Sequence, residues 1–402
     1  MDLLSGQPWW LYKNGFSFAY PAPGEVAPQE VVVMGGGITG ALMTYYLTEQ
    51  GIPVTVLEKR HIGMGSTSGS TALLQYEIDT MLVDLIDIMG VEKAERSYAL
   101  CIEAIGKVQA IVQKLGGEVD FELKKSLYYA SFKKDEADLK REYDARKKMG
   151  IRVDWWDKKE LKDHFPHLPH TAAILSDDAA QVDVYQLTHA LFQYCVSKGA
   201  KVYDTVKVQQ IEHHKKGVKL VLDNDQEIKT QKLVIACGYE SQNYLSQRVV
   251  RLHASYAIVS KPMPLENPLW YENALVWESA RPYLYMRTTA DQRMLIGGKD
   301  ETFSSAVKRD KLMARKSREL EKNARKFFPD LPFTTDYSWC GTFAETKDGL
   351  PYIGSVQEHP NTYFALGFGG NGILFSILAA QIISDQIRGI DNKDATLFAF
   401  DR

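Results

Sequence analysis

A glycine-rich turn between a strand and a helix constrains the fold of this chain more than any other feature. A buried β-branched run, Val31 to Val33, is followed by Gly35, Gly37 and Gly40 in a Gly-x-Gly-x-x-Gly motif that opens a helix-like segment. The first glycine permits the tight turn, the second lets a pyrophosphate approach the backbone, and the third lets helix and strand pack closely. Free N–H groups at the start of the helix favour the phosphates. This pattern predicts the opening βαβ unit of a dinucleotide-binding domain.

The segments that follow bear on which dinucleotide binds. Glu58 ends the second predicted strand, where a carboxylate accepts hydrogen bonds from ribose hydroxyls and repels a 2′-phosphate. NAD and FAD both use this fingerprint, so later segments decide. Val208 lies at a predicted strand edge, where its backbone can hydrogen-bond an adenine. KLVIACG is a buried strand that brings the chain back to the cofactor domain. GFGGNG opens the last helix, whose N–H groups can meet a flavin. Together they favour FAD.

The whole pattern resembles the D-amino acid oxidase family of flavoenzymes, whose members include glycine oxidase, sarcosine oxidase and glutamylputrescine oxidase. The resemblance runs from Val31 to about Gly389 and rests on VVVMGGGITG with LEK, GSTSGST, TVKVQQIE, LVIACG, GTFAETKDGLPYIG and GFGGNGI, in this order. It implies an α/β (α+β overall) fold, in which a Rossmann-like FAD-binding domain carries an inserted antiparallel-sheet substrate domain over the isoalloxazine ring.

The interleaving of helical and alternating segments predicts a discontinuous domain organisation. From His253 to Gly298 aromatic and apolar residues alternate with polar ones, which is typical of an antiparallel sheet. We expect an extended N-terminal arm at 1–29, an FAD-binding domain from 30–90, 165–250 and 335–402, and a substrate domain from 91–164 and 251–334.

The predicted cofactor-binding residues are mostly small residues of the glycine turns and of the serine-glycine segment, for which a flexible linker is the alternative. They are Gly35, Gly37, Ile38, Thr39, Gly40, Glu58, Lys59, Gly65, Ser66, Thr67, Ser68, Ser70, Thr71, Val208, Ala236, Cys237, Gly238, Gly354, Gly369, Gly370, Asn371, Gly372 and Ile373. Some relatives link FAD covalently through cysteine or histidine. Cys340 is out of register for this, and the serine-glycine segment holds no histidine, so we expect non-covalent FAD.

The resemblance also bears on the substrate. In this family an uncharged amine gives its α-hydride to flavin N5, so the protein's task is positioning, and the sequence assigns no catalytic residue. In the amino-acid-oxidising relatives an arginine pairs with the substrate carboxylate. The matching position here is Phe343, which cannot do so. Arg287 is the best replacement cation, unless it forms an ordinary ion pair. Glu345 is a candidate partner for a substrate ammonium, unless it is a solvated loop carboxylate.

Aromatic residues of the predicted sheet complete this set. The predicted substrate-binding residues are Tyr256, Tyr285, Arg287, Phe343, Glu345 and Asn371. Together with Trp277 and Tyr283, the aromatic residues of this set would remove water from an amine and so lower the pKa of the amine. The alternative is that they only pack within the sheet. Asn371 would bond flavin or substrate, unless it serves only its turn.

These observations predict an FAD-dependent oxidoreductase, either oxidase or dehydrogenase. It would oxidise a C–N bond of a small amine or amino acid to an imine that hydrolyses, with oxygen or another electron acceptor. The alternatives are an FAD-dependent dehydrogenase of a 2-hydroxy acid or polyol phosphate, and a non-catalytic flavin-carrying subunit. The net charge of −3 disfavours nucleic acid, and 4 separated cysteines predict no metal site. The apolar stretch Gly372 to Ile383 is too short to span a bilayer, so we expect a cytoplasmic protein.

Overall fold

The computed structural model describes residues 4–16, 18–24, 27–169, 171–264, 266 and 268–402 of the 402-residue chain. Its strands are β1 Leu4–Gly6, β2 Gln29–Met34, β3 Val54–Leu57, β4 Leu73–Gln75, β5 Glu122–Tyr129, β6 Val153–Trp156, β7 Ala173–Gln181, β8 Lys201–Tyr203, β9 Val208–His214, β10 Gly217–Leu222, β11 Glu227–Ile235, β12 Arg251–Ser260, β13 Leu275–Glu278, β14 Leu284–Thr288, β15 Met294–Thr302, β16 Thr335–Glu345, β17 Tyr352–Ser355 and β18 Thr362–Leu366. Its α-helices are α1 Trp9–Asn14, α2 Ile38–Glu49, α3 Ser66–Gly69, α4 Leu82–Met89, α5 Val91–Leu115, α6 Glu136–Lys148, α7 Lys158–His164, α8 Val184–Ser197, α9 Ala306–Phe327 and α10 Gly372–Ile387.

The first sheet has the parallel centre of a dinucleotide-binding domain. Its order is β17-β18-β11-β2-β3-β8, with β10 on the other end of β11 and β9 beyond it. β18, β11, β2, β3 and β8 run parallel to one another, whereas β17 and β10 pair with this group antiparallel. Val31 to Val33 are fully buried because helices α2 and α10 cover one face and a second apolar cluster covers the other. The predicted Rossmann-like unit is confirmed.

The second sheet is mostly antiparallel and lies against the first domain. Its order is β1-β16-β12-β15-β14-β13-β5-β7-β4, with β6 paired to β7. Side chains alternate between its two faces. Tyr256 and Ile258 of β12 join the apolar cluster under α9, whereas Ser255 and Ala257 face a cavity on the other side. The predicted antiparallel sheet between His253 and Gly298 is confirmed, and its inner face closes a cavity.

The N-terminal segment differs from the extended arm that we predict. Residues 1–3, 17, 25 and 26 of the 1–29 arm lie outside the described residues. Among the rest, β1 pairs with β16, and α1 buries Trp9 and Trp10 completely or nearly so. Because two indoles need to be removed from water, this segment packs into the second sheet instead of lying along the surface.

Gly90 (φ 86°) separates α4 from α5. The strand pairing also bears on the domain boundaries that we expect. Strands β4, β7 and β16 fall in segments that we assign to the FAD-binding domain, yet they pair in the second sheet. The chain therefore crosses between the sheets more often than composition indicates, and the domain boundaries stay a prediction.

A capping box starts helix α7. Asp157 accepts hydrogen bonds from the backbone N–H groups of Lys159 and Glu160, and the Glu160 carboxylate accepts one from the N–H of Asp157. These bonds satisfy donors that the first turn of the helix would otherwise leave free. Among the described residues, no helix combines the length and apolar character that crossing a membrane requires.

A buried ionic network fixes the loop between β4 and α4. The Arg146 guanidinium on α6 donates to Glu142 at 2.7 Å and lies 3.5 Å from Glu77, and all three side chains are fully or almost fully buried. The Glu142 carboxylate also accepts the N–H groups of Leu82 and Val83 at the start of α4. This network holds the loop that carries Asp79 toward the cavity.

Replacing Arg146 tests the weight of that network. Arg146→Met would leave two buried carboxylates without their cation, which costs about 3–5 kcal/mol. We expect a marked fall in the midpoint of thermal or urea unfolding, measured with the exposed Arg141→Met on the same helix as control. Equal midpoints for the two variants would contradict this role.

Candidate active site

A cavity of about 310 Å³ lies between the two sheets. Its walls are the first turn of α2, the end of β3, the segment around α3, the end of β11, the start of α10, and the inner face of β12 to β16. The carboxyl ends of β2, β3 and β11 open into it, which is where parallel sheets of this kind bind ligands.

The glycine turn brings backbone atoms to the cavity wall. Gly35 has φ 117°, and a Cβ built on it would lie 2.3 Å from the Ala236 carbonyl oxygen. A Cβ on Gly40 would lie 1.9 Å from the Gly35 oxygen, so this glycine allows the close helix–strand packing. Gly37 precedes α2, and its first turn faces the cavity with N–H groups and the positive end of the helix dipole.

Glu58 is fixed at the end of β3 by two backbone N–H groups. Its Oε2 accepts from Gly36 and its Oε1 from Arg60, both at 2.7 Å. Burial raises the pKa of this carboxyl, and the two N–H donors oppose that rise. Lys59 and Arg60 are paired with Glu240 at 2.6 and 3.1 Å. The carboxylate is thus held in the cavity wall with lone pairs that can accept ribose hydroxyls.

The serine-glycine segment is held by donors on its outer side. Trp339 Nε1 donates to the Gly69 carbonyl at 2.9 Å, and Trp10 Nε1 donates to the Ser70 carbonyl at 2.6 Å. The Arg287 guanidinium donates to the carbonyls of Thr71 and Ala72 at 3.2 and 2.8 Å.

On its inner side the same segment contacts the dinucleotide helix. Thr67 Oγ1 accepts the N–H of Ile38, at the start of α2, at 2.9 Å. The segment is therefore a fixed wall joining both sheets, which argues against the flexible-linker alternative.

Aromatic side chains cover the sheet side of the cavity. Trp277 stacks on Tyr128 with ring centroids 3.8 Å apart, and Tyr283 and Tyr285 follow along β14. The Tyr285 hydroxyl lies 3.1 Å from Ser255 Oγ, and Phe343 continues the wall on β16. Such a surface excludes water from whatever it covers.

Asp79 and Asn371 fasten the turn before α10 to the loop after β4. Asp79 accepts the N–H of Gly370 at 2.9 Å and the hydroxyl of Tyr283 at 3.1 Å. Asn371 Nδ2 donates to the carbonyls of Gln75 and Glu77, each at 2.8 Å. Asn371 therefore lines the cavity while its amide hydrogens are used within the protein.

A second carboxyl reaches the cavity through a β-bulge. Ala254 pairs with Glu301 and Tyr256 with Gly298, so Lys299 (φ 58°) and Asp300 together face Ser255. Such bulges re-aim side chains beside functional sites. Asp300 lines the cavity, and its Oδ1 is shielded from solvent without a hydrogen-bond partner among the described residues.

The surroundings of Asp300 disfavour its charged form. Burial raises the pKa of its carboxyl to about 7, a hydrogen bond from Ser255 opposes the rise, and the nearby Asp79 carboxylate adds to it. An ionisable group so perturbed in a cleft is typical of a functional site.

Most of the predicted cofactor-binding residues meet at this cavity. Those lining it are Gly35, Gly37, Ile38, Thr39, Glu58, Lys59, Gly65, Ser66, Thr67, Ser70, Thr71, Val208, Ala236, Cys237, Gly238, Gly369, Gly370, Asn371, Gly372 and Ile373. Gly40 and Ser68 lie behind the wall, where Ser68 donates to the Gly65 carbonyl, and Gly354 packs against Gln386. Gly40 and Ser68 therefore shape the wall from behind, and Gly354 lies away from it.

The predicted substrate-binding residues divide in the same way. Tyr285, Phe343 and Asn371 line the cavity. Tyr256 points to the opposite face of the sheet, where its hydroxyl donates to the Arg309 carbonyl. Glu345 lies outside the lining with its side chain half exposed, 3.2 Å from His253. The structure therefore argues against direct substrate contacts by Tyr256 and Glu345.

Arg287 also has a different role from the one we expect. The residue is only 1% exposed, and its guanidinium donates to the carbonyls of Thr71, Ala72, Val182 and Thr288. Burial lowers its pKa to about 10, so the guanidinium remains charged at neutral pH. A cation bound to four carbonyls behind the wall is a poor partner for a substrate carboxylate, so the structure gives Arg287 a structural role instead.

Sequence reasoning missed Asp79 and Asp300, two of the carboxyls in the cavity wall. Asp79 sits in the irregular segment YEID after β4, and Asp300 follows two glycines in a strand whose alternation would not reveal a bulge. The Gly-Gly-Lys-Asp run is the only local signal, because glycines inside a strand pattern accompany bulges.

Among the described residues, no group of three or more His, Cys, Asp or Glu side chains is arranged to hold a metal ion.

The family profile described as FAD dependent oxidoreductase, the DAO family, matches residues 30–386. The probable oxidoreductase OrdL of Haemophilus influenzae is 22% identical and the match covers 94% of this chain and 86% of OrdL. Glycine oxidase of Geobacillus kaustophilus is 25% identical, with coverages of 89% and 92%, and gamma-glutamylputrescine oxidoreductase of Escherichia coli is 24% identical, with coverages of 90% and 84%.

The fold comparison agrees with the profile. The crystal structure of the Geobacillus kaustophilus glycine oxidase superposes with a TM-score of 0.77 at 22% identity, covering 92% of this chain and 96% of that one. The chain belongs to the DAO family of FAD-dependent oxidoreductases and is an enzyme of that class.

The residues present fit FAD. The glycine turn leaves its backbone open to a ligand, and Glu58 is fixed where a ribose would lie. Ser66 Oγ, in the same wall, is buried without a hydrogen-bond partner among the described residues. A shielded hydroxyl of this kind indicates an absent polar ligand.

The glycine turn can be tested directly. Gly35→Ala places a methyl group against the Ala236 carbonyl at a backbone angle that alanine avoids, so we expect purified protein with little flavin. Gly106→Ala, in open space on α5, is the control and should retain full occupancy. The ratio of visible to ultraviolet absorbance measures this, and equal flavin content in both variants would contradict the assignment.

The revised role of Arg287 makes a different prediction. Arg287→Ala strips four carbonyls of their donor. Since hydrogen bonds to charged groups contribute about 1.5–3 kcal/mol each, the free energy of unfolding should fall by at least about 3 kcal/mol. Thermal unfolding should show this beside the exposed Arg315→Ala. Normal stability with a KM raised only for carboxylate-bearing substrates would instead restore the substrate-binding role.

Proposed function

We propose that this enzyme oxidises a C–N bond of a small amine to an imine, which water then hydrolyses. The observation that carries the proposal is the composition of the cavity. One side holds the glycine turn, Glu58 and the start of α10, and the other side is an aromatic sheet whose loops and strands add three carboxyls.

The distribution of charge supports an amine as substrate. The basic residues of the lining, Lys59, Arg60 and Lys207, lie with the dinucleotide sheet, where they suit a cofactor. The second sheet and its loops contribute Asp79, Asp300 and Glu77 instead, the last of which is ion-paired with Arg146. An acidic surface attracts an ammonium group and repels carboxylates and phosphates, which disfavours a 2-hydroxy acid or a polyol phosphate.

FAD, when bound, supplies the acceptor for the two electrons and the hydrogen that leave the substrate carbon. The protein's own part is positioning. Trp277, Tyr283, Tyr285 and Phe343 exclude water and favour an uncharged amine over its ammonium form. Asp79 and Asn371 hold the turn before α10 against the loop after β4, so that cofactor and substrate walls keep a fixed separation.

The relatives support the same chemistry. Their names describe a glycine oxidase and a gamma-glutamylputrescine oxidoreductase, both of which refer to nitrogen-bearing compounds. The flavin is proposed to be non-covalent. Cys340 is buried on β16 in the cluster under α9, away from the cavity, and Cys237 lies at the dinucleotide side beside the Met34 carbonyl.

Visible spectroscopy of the purified holoenzyme tests the proposal. We expect flavin absorption bands that bleach anaerobically with at least one compound from a panel of amines, N-methyl amino acids, D-amino acids and 2-hydroxy acids, the active compound being an amine. Air admitted afterwards then distinguishes an oxidase, which recovers its colour at once, from a dehydrogenase.

Two outcomes would contradict the proposal. Bleaching by 2-hydroxy acids alone would show a different reaction on the same fold. Flavin bands that no compound in the panel bleaches would favour a flavin-carrying subunit.

A further inference from the structure

We propose that Asp300 receives the protonated amino group of the substrate and takes a proton from it, and that the substrate is an amine without a carboxylate on the oxidised carbon. The inference rests on the proposed amine oxidation and adds to it a residue with a chemical role and a substrate class.

The position of Asp300 in the cavity wall depends on a β-bulge, which the packing of the sheet does not itself require. A regular β15 strand would continue its alternation, but the bulge at Lys299 and Asp300 inserts one residue opposite Ser255. The inserted turn costs backbone strain, since Lys299 has φ 58°. What it provides is a carboxyl on the inner face, beside Tyr283 and Tyr285, whose hydroxyls lie within its electrostatic influence.

The carboxyl is left incompletely satisfied. Its Oδ1 is shielded from solvent and has no hydrogen-bond partner among the described residues, while the residue as a whole is partly exposed and lines the cavity. A carboxylate in a poorly solvated wall is costly when it is ionised and unpaired, so a cation bound against it would stabilise its charged form. An ammonium group, which carries only donors and a positive charge, meets this requirement.

The other charged groups around Asp300 agree with a cationic ligand. Asp79 faces it from the loop after β4 and disfavours its ionisation, while Arg281 before β14 and Lys316 on α9 favour it more weakly. Lys316 is itself occupied by Glu301 at 2.6 Å and by the Lys299 carbonyl, and the Arg281 guanidinium lies over the Tyr283 ring and donates to the Asp79 carbonyl. Asp300 and Asp79 thus lie near each other, and the cations around them already have other partners. One added positive charge would therefore be favourable at this site.

The absence of a carboxylate follows from the same wall. Phe343 on β16 lies in the cavity lining and offers no positive charge. Arg287 is turned to the carbonyls of Thr71, Ala72 and Val182. A substrate carboxylate here would meet an aromatic ring and two acids, so we infer selection against it.

The proposed proton transfer conserves atoms, electrons and charge. The ionised Asp300 carboxylate forms an O–H bond with one ammonium proton, and the nitrogen keeps the electron pair of the broken N–H bond. The products are a neutral carboxylic acid and a neutral amine, which a water-poor aromatic site favours over two charges. The neutral amine is the form from which the α-hydrogen can leave.

The main test compares Asp300→Asn with a matched neighbour, Glu301→Gln, whose carboxyl pairs with Lys316 on the other face of the sheet. Anaerobic flavin bleaching is followed with ethylamine and with alanine of each hand, which add only a carboxylate. We expect ethylamine to be the better substrate. Asp300→Asn should slow its bleaching by about 100-fold or more, the usual range for a lost acid–base group, while Glu301→Gln stays within about 2-fold.

The pH profile supplies a readout that a merely structural role would not change. Because the carboxyl must be ionised to accept a proton, the bleaching rate per amine concentration should rise with pH through about 7 in the wild type. In Asp300→Asn the levelling-off above about 7 should be lost, and the rate should instead keep rising with pH toward the pKa of the free amine, about 10, with flavin content unchanged.

Stability gives an independent check that the variant folds. The folded-state pKa of Asp300 lies above that of an unfolded aspartate, so its ionisation destabilises the fold increasingly as pH rises from about 4 to about 7. Asp300→Asn should therefore melt at a higher temperature than the wild type at pH 8, with the difference shrinking toward pH 4.

The outcomes separate the two proposals. Amine bleaching that survives Asp300→Asn with its pH profile unchanged, or alanine reacting as fast as ethylamine, would overturn the inference and leave the proposed function standing. A wild-type flavin that bleaches with 2-hydroxy acids and with no amine would overturn both.

Discussion

Four consecutive carbonyls of one short segment hold this structure together. The backbone oxygens from Gly69 to Ala72 are bound by two buried indoles and a buried guanidinium, which come from three distant parts of the chain. These donors fix the segment that joins α3 to β4 and so set the distance between the sheets. The cavity depends on that distance, because the same segment is its wall. It also explains the N-terminal strand and helix, since Trp10 can reach its carbonyl only if α1 is packed against the second sheet.

The two sides of the cavity differ in how the protein treats charge. On the dinucleotide side the carboxylates of Glu58 and Glu240 already have partners, backbone N–H groups for the first and cations for the second. On the sheet side Asp300 lies partly exposed in the cavity wall, with one oxygen shielded and unbonded, near Asp79. Such an arrangement lowers stability, and proteins keep it where a ligand or a reaction requires it. The contrast is the physical basis for assigning cofactor to one side and a cationic amine to the other.

Most of the dinucleotide side could be predicted from the sequence because its determinants are local. The glycines, the helix start and Glu58 lie within one βαβ unit, where spacing alone fixes their relation. The sheet side could not, because its determinants are a register shift and contacts between distant segments. Tyr256 and Tyr285 have similar sequence surroundings, and only the pleat decides that one faces α9 and the other the cavity. Arg287 was predicted on the correct face, but its partners are carbonyls from segments far along the chain. Asp300 was missed because a bulge reverses the alternation on which sequence reasoning depends.

The central claim is that an amine lies in this cavity with its nitrogen on Asp300. A crystal structure of the FAD-bound enzyme, reduced without oxygen and soaked with ethylamine, tests it most directly. The account predicts FAD along the glycine turn and Glu58, and the amine nitrogen within about 3 Å of the Asp300 carboxyl, as in a charge-assisted hydrogen bond. An amine nitrogen bound elsewhere in the cavity, with Asp300 unchanged and unpaired, would contradict it.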